Sequence, residues 1–280
     1  MVAAYTGSVS TAGAEKIRLG GMALRNGIFV HSLDHWAAAV RTPEGELRIA
    51  SGRKPEISEH LLAVPGVRGV ARVAEVVYLL PIVRRKLPEA RLPLEGATTL
   101  GALAASVALS RAIRRTSLSP LPAELIGAGL SLAPALAALR GSQVAGYHGA
   151  EHKAIGGYEL GEAAVDATKE HERCGSHMVG PMLAATVVGN LAVSKLPPAR
   201  RGPARLAANL AAIGVATEVF GWMTRHADSP VSRALRRPGF ELQRVAATRE
   251  PSREELEVAQ AALDEVLRLE GAAATRPADG

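Results

Sequence analysis

The chain has 280 residues, with 33 Lys or Arg against 27 Asp or Glu, so its formal net charge is +6. Hydrophobic residues make up 48% of it and charged residues 21%. This composition excludes a chain that is disordered throughout. Aromatic residues are only 3%, because Ala, Leu, Val and Gly dominate the middle of the sequence. The modest net charge favours no nucleic-acid partner, and the single cysteine excludes an internal disulfide framework.

Residues 1–65 predict a small polar domain that contains a β-hairpin. Strand-like runs at His35–Arg41 and Glu46–Ser51 flank the turn sequence Thr-Pro-Glu-Gly, in which Pro presets φ and Gly accepts a positive φ. Upstream, Gly20, Gly21 and Gly27 indicate a loop or bulge. The first 20 residues lack the apolar core and cleavage site of a secretory signal, so we expect any membrane contact to come from internal segments.

Residues 66–225 predict a helical region embedded in the lipid bilayer. Five apolar segments follow one another there: Val67–Val83, Leu94–Ile113, Leu121–Leu139, Met178–Leu196 and Ala204–Met223. The stretch from Cys174 to Ser194 carries no charged residue and reaches the roughly 20 residues that a helix needs to cross a bilayer. The first segment differs, because Arg68, Arg72 and Glu75 form one polar stripe along it. We therefore expect that segment to be an interfacial helix or to pack against the bundle.

Positive charge predicts how the other four segments are arranged. Three arginines lie in each of the turns Arg111–Pro120 and Pro197–Arg205, so each turn joins two apolar segments into a helical hairpin with a basic tip. Basic tips face the cytoplasm, which predicts a multi-pass protein of the bacterial cytoplasmic membrane. Abundant Gly, Ala and Ser would let these helices approach closely. The competing interpretation is a soluble, Ala-rich helical bundle.

The C-terminal segment, residues 226–270, is polar again and contains an amphipathic helix over Pro251–Glu270. Ser252 is the predicted N-cap with Glu255 three residues later, a capping box. The apolar face of this helix comprises Leu256, Ala259, Leu263, Val266 and Leu267. Such a face predicts docking, so this helix and the N-terminal domain are candidate surfaces for a protein partner. Residues 271–280 predict a disordered tail, and nothing in the sequence specifies the oligomeric state.

The sequence Tyr147–Lys153, YHGAEHK, carries the strongest chemical signal. His148 and His152 are four residues apart, so on a helix both imidazoles project from one face and can bind one metal ion. With Glu151 they match the pattern H-x-x-E-H, in which two histidines bind zinc and the glutamate is the general base. Alternatively, the histidines could cap carbonyl groups or lie at the membrane interface.

Further candidate ligands follow within a short distance. His171 and Cys174 add an imidazole and the only thiol, both of which suit zinc, and His177 could be a ligand or simply face the interface. A buried lone cysteine could equally be a packed small side chain. Glu218 and Asn190 lie inside apolar segments and should face the bundle interior. Glu218 could supply the distant carboxylate ligand, or it could pair with an arginine such as Arg225.

Several motifs together resemble the YqhQ-like family of bacterial proteins, which are described as predicted metal-dependent membrane enzymes. They are YHGAEHKAIGGYELGE (147–162), HERCGS (171–176), PGVRGVARVAEVV (65–77) and PGFELQRVAATREPSREELEVAQAAL (238–263). The resemblance implies a multi-spanning protein with a His/Glu/Cys functional centre and supplies no substrate. The chain diverges from the family's pattern in one place, because the family's opening motif, GGQAVIEGVMMR, is altered here at Met22 and Asn26.

These observations predict a mainly α fold: a membrane-embedded bundle of two helical hairpins plus an interfacial helix, a small N-terminal β-containing domain and a C-terminal amphipathic helix. The leading hypothesis for function is a zinc-dependent membrane hydrolase or peptidase, in which His148, His152 and either His171 or Cys174 hold the ion. Glu151 would then activate water, and Glu218 would be a ligand or support one. The alternative is a non-catalytic scaffold or assembly factor with a structural metal, because four protein ligands would close the coordination shell. Haem is disfavoured, since histidines on one helix face cannot bind opposite faces of a porphyrin.

Overall fold

The structure, a computed structural model, describes residues 16–93, 95–139 and 143–271. Within these ranges a four-stranded sheet precedes a series of helices. The strands are β1 (Gly20–Ala23), β2 (Gly27–His31), β3 (His35–Arg41) and β4 (Leu47–Arg53). The helices are α1 (Glu59–Ala63), α2 (Val67–Lys86), α3 (Ala97–Ile113), α4 (Pro120–Leu130), α5 (Ala133–Leu139), α6 (Gln143–Leu160), α7 (Val179–Ser194), α8 (Pro198–Arg225), α9 (Pro230–Leu242) and α10 (Arg253–Leu269). A 3-10 turn, Gly175–Met178, precedes α7, and a π turn, Gln243–Ala247, follows α9. Of the predicted disordered tail, only Gly271 lies within the described residues.

The sheet is an antiparallel meander in the order β1-β2-β3-β4. The predicted hairpin is confirmed as β3 and β4, and Gly45 in its turn has a φ of 87°, which favours glycine. The loop predicted at Gly20 and Gly21 is wrong, because both lie in β1, and Gly27 begins β2. A Cβ at Gly27 would lie 2.1 Å from the carbonyl oxygen of Ala39, so glycine is needed there for close strand approach.

Both faces of the sheet are buried, which explains why β2 and β3 lack a simple alternation of polar and apolar residues. One face, including Ile28, Val30 and Ala37, packs in a core with α6 and α10. The opposite face, including Phe29 and Trp36, packs in a second core with α2. The alanines of β3 are small, so helices can approach the sheet closely on both sides.

The C-terminal helix closes the first of these cores. Its predicted capping box is confirmed, since the Ser252 hydroxyl accepts from the Glu255 amide and the Glu255 carboxylate accepts from the Ser252 amide. The predicted apolar residues Ala259, Leu263 and Val266 are buried. They contact the sheet and α6, so the docking partner of this face is part of the same chain.

The apolar helices form the two predicted hairpins. α3 packs on α4 and α5, α7 packs on α8, and α4 joins the two pairs by packing on α7. Two boundaries differ from prediction: the third apolar segment is interrupted between α4 and α5, and the second basic tip lies mostly within α8, which begins at Pro198. Arg114 and Arg205 both bind the buried Glu124, which places the two basic regions at the same end of the bundle.

Among the residues that the structure describes, three helical segments are long and apolar enough to cross a membrane: Pro120–Leu139, Gly175–Ser194 and Pro198–Arg225. α3 is apolar but shorter. Large apolar side chains remain exposed on these helices, among them Leu121, Leu125, Val188, Leu206 and Leu210. Length and composition therefore suggest a membrane protein.

The first apolar segment, α2, packs against the rest of the molecule, which is one of the two arrangements expected for it. Leu79 and Val83 enter the core beneath the sheet, and Arg68 forms an ion pair with Glu218 of α8. The third member of the predicted polar stripe, Glu75, is buried and binds both Arg72 and Lys54. The polar stripe is thus used for contacts inside the protein.

Candidate metal centre

Helix α6 brings the two histidines of the H-x-x-E-H sequence together. The helix spans both of them, and the centres of the His148 and His152 rings are 4.4 Å apart. His152 is buried, whereas His148 is half-buried. The predicted display of both imidazoles from one helix face is therefore confirmed.

Cys174 reaches this pair from the other side. It caps the 3-10 turn before α7, and its Sγ lies 3.5 Å from Nε2 of His148. One potential ligand atom from each of His148, His152 and Cys174 lies within 4.8 Å of the other two. Sγ also accepts a hydrogen bond of 3.4 Å from the Ser176 amide, which fixes its position. We call these three residues the donor cluster.

Backbone carbonyl groups orient both histidine rings of the donor cluster. Nδ1 of His148 lies 2.9 Å from the Ala247 carbonyl oxygen, and Nδ1 of His152 lies 2.6 Å from that of Lys169. A carbonyl only accepts, so each Nδ1 must carry the proton and each neutral ring presents the lone pair of Nε2. Metal-binding histidines are commonly oriented in this way.

Glycines of α6 allow the chain that holds His148 to approach the helix. A Cβ at Gly149 would lie 2.2 Å from the carbonyl oxygen of Arg249, and the Arg249 amide donates to the Ala145 carbonyl at 3.0 Å. The contact positions the preceding π turn, whose last residue, Ala247, receives the His148 hydrogen bond. The small residues inside YHGAEHK are thus part of the construction of the site.

Electrostatics favours a thiolate in the donor cluster. Burial opposes the charged form of Cys174, but the adjacent His152 and His148 outweigh this effect and lower the pKa of the thiol well below its usual value. Burial likewise opposes a charged His148, yet the Cys174 thiolate, its hydrogen bond and Glu151 together raise the pKa of His148 to about 9. Without a metal, these opposite shifts favour a proton on His148 and a thiolate on Cys174, and a divalent cation could replace that proton.

His171 lies beside the cluster, with its ring centre 5.5 Å from that of His152. Its nitrogens have other partners, because Nε2 lies 3.1 Å from a carboxylate oxygen of Glu159 and Nδ1 accepts from the Arg173 amide at 3.3 Å. Burial lowers the pKa of His171, although Glu151 and Cys174 partly oppose this effect. The structure places His171 as a neighbour of the three-residue cluster.

His177 is fully buried and supports the backbone around the cluster. Its Nδ1 lies 3.0 Å from the Arg236 carbonyl oxygen and its Nε2 lies 3.2 Å from that of His171. Gln243 contributes to the same arrangement, because its side-chain oxygen accepts from the His171 amide at 2.8 Å and its nitrogen donates to Ser176. His177 and Gln243 therefore hold the loop that carries Cys174.

Glu151 lies between the donor cluster and the sheet. It is buried, and a Cβ at Gly21 of β1 would come within 2.4 Å of its carboxylate oxygen, so a larger residue at that point of the strand would displace the Glu151 side chain. Glu151, all three donor residues and β1 line one cavity of about 470 Å³. The candidate general base therefore faces the same space as the candidate ligands.

The two polar residues predicted inside apolar segments have different surroundings. Glu218 accepts hydrogen bonds from the Gly66 amide and from Nε of Arg68, at 2.9 and 2.7 Å. The structure therefore places its carboxylate in the contact between α2 and α8, and brings no Glu218 oxygen into the donor cluster. Asn190 on α7 is buried, as expected for a polar residue that avoids lipid.

The two departures from the family's opening motif are also explained locally. The Asn26 side chain donates to the carbonyls of Arg41 and Glu89 and accepts from the Arg91 amide, so it joins the β1–β2 turn to the segment after α2. A carboxylate could not make the two donations. Met22 lines the cavity next to the donor cluster.

Sequence reasoning missed the groups that orient the ligands. The carbonyls of Lys169 and Ala247 have no side-chain signal, and Gln243 is remote in sequence from the histidines it supports. Gly21 did carry a signal, since two adjacent glycines permit either a turn or a close approach, but the sequence alone favoured the turn.

Comparison with known proteins gives two related findings. Residues 140–269, which include α6, the donor cluster and α10, match the family described as "Protein of unknown function (DUF1385)". The chain is 34% identical over 129 residues to "Uncharacterized protein YqhQ" of Bacillus subtilis (strain 168), an alignment that covers 44% of this chain and 40% of that protein. No solved structure matches the chain. These findings support the resemblance to YqhQ-like proteins over less than half of the chain, and the residues of the family match include the donor cluster.

Proposed function

We propose that this protein is a zinc-dependent hydrolase of the bacterial cytoplasmic membrane, a divergent YqhQ-like protein whose metal ligands are His148, His152 and Cys174. The observation that carries the proposal is the convergence of two carbonyl-oriented imidazoles and one thiol on a single point that also faces a cavity. Three protein ligands with an accessible remaining position are typical of catalytic zinc.

The donor cluster fits zinc in its chemistry and spacing. Zn–N bonds of about 2.0 Å and Zn–S bonds of about 2.3 Å in a tetrahedral site require an N···S separation of roughly 3.6 Å. Nε2 of His148 and Sγ of Cys174 are 3.5 Å apart. Imidazole nitrogen and thiolate sulfur are ligands that zinc prefers, and the depressed pKa of Cys174 makes the thiolate available.

The roles of the chain's own groups follow from this placement. A bound zinc ion would supply Lewis acidity toward water and toward the substrate's carbonyl or phosphoryl oxygen. Glu151 takes a proton from the attacking water as the new bond to oxygen forms, and returns it to the leaving group as the old bond breaks. The Ala247 and Lys169 carbonyls keep both imidazoles in the ligating tautomer throughout.

Membrane integration is supported by the helical half of the molecule. Three helical segments have the length and composition of spans, and several of their large apolar residues are exposed. The proximity of the two basic regions around Glu124 supports the expectation that both face the cytoplasm.

A structural metal in a scaffold protein is the competing function. Such a site would need a fourth protein ligand to close its shell. His171 lies beside the donor cluster and is the candidate for a fourth ligand, but its nitrogens contact Glu159 and the Arg173 amide. The available donor set therefore favours the hydrolase.

Elemental analysis combined with a hydrolysis screen tests the proposal. We expect stoichiometric zinc in the purified full-length protein and in the surface control His60→Ala, but not in His148→Ala or Cys174→Ala. Glu151→Gln should retain the metal and lose at least about 100-fold in turnover of any ester, amide or phosphodiester reporter that the wild type cleaves. A wild type without metal contradicts the site, whereas a metal-loaded Glu151→Gln variant with full function supports the scaffold.

A further inference from the structure

The cavity at the donor cluster has polar and ionisable side chains at one end, and its other walls are mostly apolar. Its apolar lining includes Leu19, which precedes β1, Met22 of β1, Ala135 and Leu139 of α5, and Ile155 of α6. The polar lining residues other than Glu95 belong to the region of the donor cluster, Glu151, His171 and Arg173. A volume of about 470 Å³ lies in the range of small-molecule sites.

A second cavity, of about 600 Å³, has the opposite chemistry. Its charged lining comprises Lys16, Arg18, Arg173, Arg236, Glu159, Glu170 and Glu172. Arg236 is 5% exposed, and its Nε has no hydrogen-bond partner among the residues that the structure describes. The other guanidinium nitrogens contact the Ala227 carbonyl at 2.7 Å and the largely exposed Glu172 carboxylate at 3.5 Å, so an anion in the cavity could replace Glu172 as the partner of Arg236.

The two cavities share a wall beside the donor cluster. His171 and Arg173 line both of them, and the centre of the His171 ring lies 5.5 Å from that of His152 of the cluster. The apolar part of a molecule bound across this wall would lie on the β1 and α5 side, next to the candidate ligands. Its charged part would lie near Arg173 and the other charged side chains beyond His171.

We propose that the substrate is a single-chain amphiphile with an anionic head group, whose scissile bond lies between chain and head. This inference rests on the proposed hydrolase and specifies its substrate class. Access from the bilayer is supported by α5, because Ala135 and Leu139 lie within the candidate spanning segment Pro120–Leu139. Carboxylate and phosphate heads share the chemistry that the arginines recognise.

An extended peptide is the competing occupant, because β1 is an edge strand and peptides can add to such edges. The walls from α5 and α6 are apolar side chains, however, and they could not satisfy the second edge of a peptide backbone. An alkyl chain needs no such partners. The lining therefore favours the amphiphile.

Photolabelling of the zinc-loaded, full-length protein in lipid nanodiscs tests this inference without requiring turnover. The probe is dodecyl phosphate with a diazirine near the end of its chain, and labelled residues are located by mass spectrometry. We expect labels in β1 and α5. Ala135→Trp, an exposed residue of the cavity wall, should reduce them at least about tenfold, equivalent to expelling two methylenes.

The matched control is Leu136→Trp, since Leu136 is the next residue, is exposed and is absent from the cavity lining. It should leave the labelling unchanged. A dodecyl trimethylammonium probe should label β1 and α5 several-fold less, because its head has the wrong charge. Equal labelling by the two probes, or labelling insensitive to Ala135→Trp, overturns the inference.

A hexapeptide that carries a photoreactive leucine separates failure of the substrate class from failure of the enzyme. If the peptide labels β1 and dodecyl phosphate does not, while metal and Glu151 remain necessary for hydrolysis, the amphiphile is wrong and the hydrolase stands. If dodecyl phosphate labels as expected but Glu151→Gln hydrolyses normally, the binding site stands and the hydrolase is wrong.

Discussion

Two buried clusters in this protein contain histidine and charged partners, but they are built in opposite ways. In the donor cluster, His148 faces a thiolate, which raises the pKa of His148 to about 9. Beneath the sheet, His31 is buried beside Lys54, and these two effects lower the pKa of His31 to about 3. The sign of the charge beside each imidazole therefore decides whether it attracts or repels a cation.

The two clusters also differ in how their charges are neutralised. Lys54 and Glu75 are almost completely buried and form an ion pair at 3.0 Å, with Arg72 on the same carboxylate. That cluster compensates its charges with fixed protein cations and anions. The donor cluster instead has an exchangeable proton between His148 and Cys174 and a cavity beside it. Buried charge alone thus does not mark the cluster beneath the sheet as a candidate site, whereas replaceable charge next to a cavity makes the donor cluster one.

Acid should break the cluster beneath the sheet first. The folded protein keeps His31 neutral down to about pH 3, whereas the unfolded chain protonates it near pH 6.5, so stability is lost as the pH falls between these values. The loss attributable to His31 is up to about 5 kcal/mol. Chemical unfolding at several pH values should show a shallower acid dependence for His31→Gln than for wild type. Equal slopes would show that His31 is not protected from protonation.

Removing one member of the buried ion pair should have the next largest effect. Glu75→Ala leaves Lys54 buried without its partner and should lower the free energy of unfolding by about 3 to 5 kcal/mol. The double variant Lys54→Met with Glu75→Leu should recover much of this loss, because neither charge then remains. Denaturation of the wild type and the two variants compares these losses, and a double variant no more stable than Glu75→Ala would contradict the prediction.

Metal should stabilise only through the donor cluster. At zinc concentrations 100 times the dissociation constant, wild type should gain about 2.7 kcal/mol of stability. His148→Ala should lose that gain, whereas Glu75→Ala should retain it on a lower baseline. Thermal unfolding with and without zinc measures the increment. An increment in His148→Ala as large as in wild type would place the metal elsewhere.

The thiol titration has the smallest energetic effect and gives the clearest comparison. Cys174 is the only cysteine, so ultraviolet absorbance of the thiolate reports on one group. In the metal-free protein, the neighbouring histidines lower its pKa, and His148→Gln should raise it toward the ordinary value. An unchanged titration curve in that variant would mean that His148 does not stabilise the thiolate.

Local patterns made much of the fold predictable. The spacing of His148 and His152 predicted their common helix face, Ser252 and Glu255 predicted the start of α10, and the arginines of Arg111–Pro120 predicted the first hairpin turn. In each instance the signal lies within a few residues of the element that it specifies. The clustering of histidines with the single cysteine also predicted the donor cluster, although not which of the four candidates would meet.

Long-range contacts made the rest unpredictable. Glu75 was recognised as one member of a polar stripe, but its partner Lys54 lies on another element and carried no pattern of its own. Glu218 was recognised as an intramembrane acid, and only the packing of α2 on α8 shows that it binds Arg68. The position of β1 against Glu151 likewise depends on the tertiary fold.

The pairing of the first and last elements has a consequence for how the protein is made. The sheet is complete by Arg53, but its inner face is covered by α10, which begins at Arg253. The ribosome must therefore synthesise every apolar helix before the segment that covers the sheet emerges. During that interval α10 cannot cover Ile28 and Val30, and transiently exposed apolar surface of this kind makes a partly folded chain prone to aggregate.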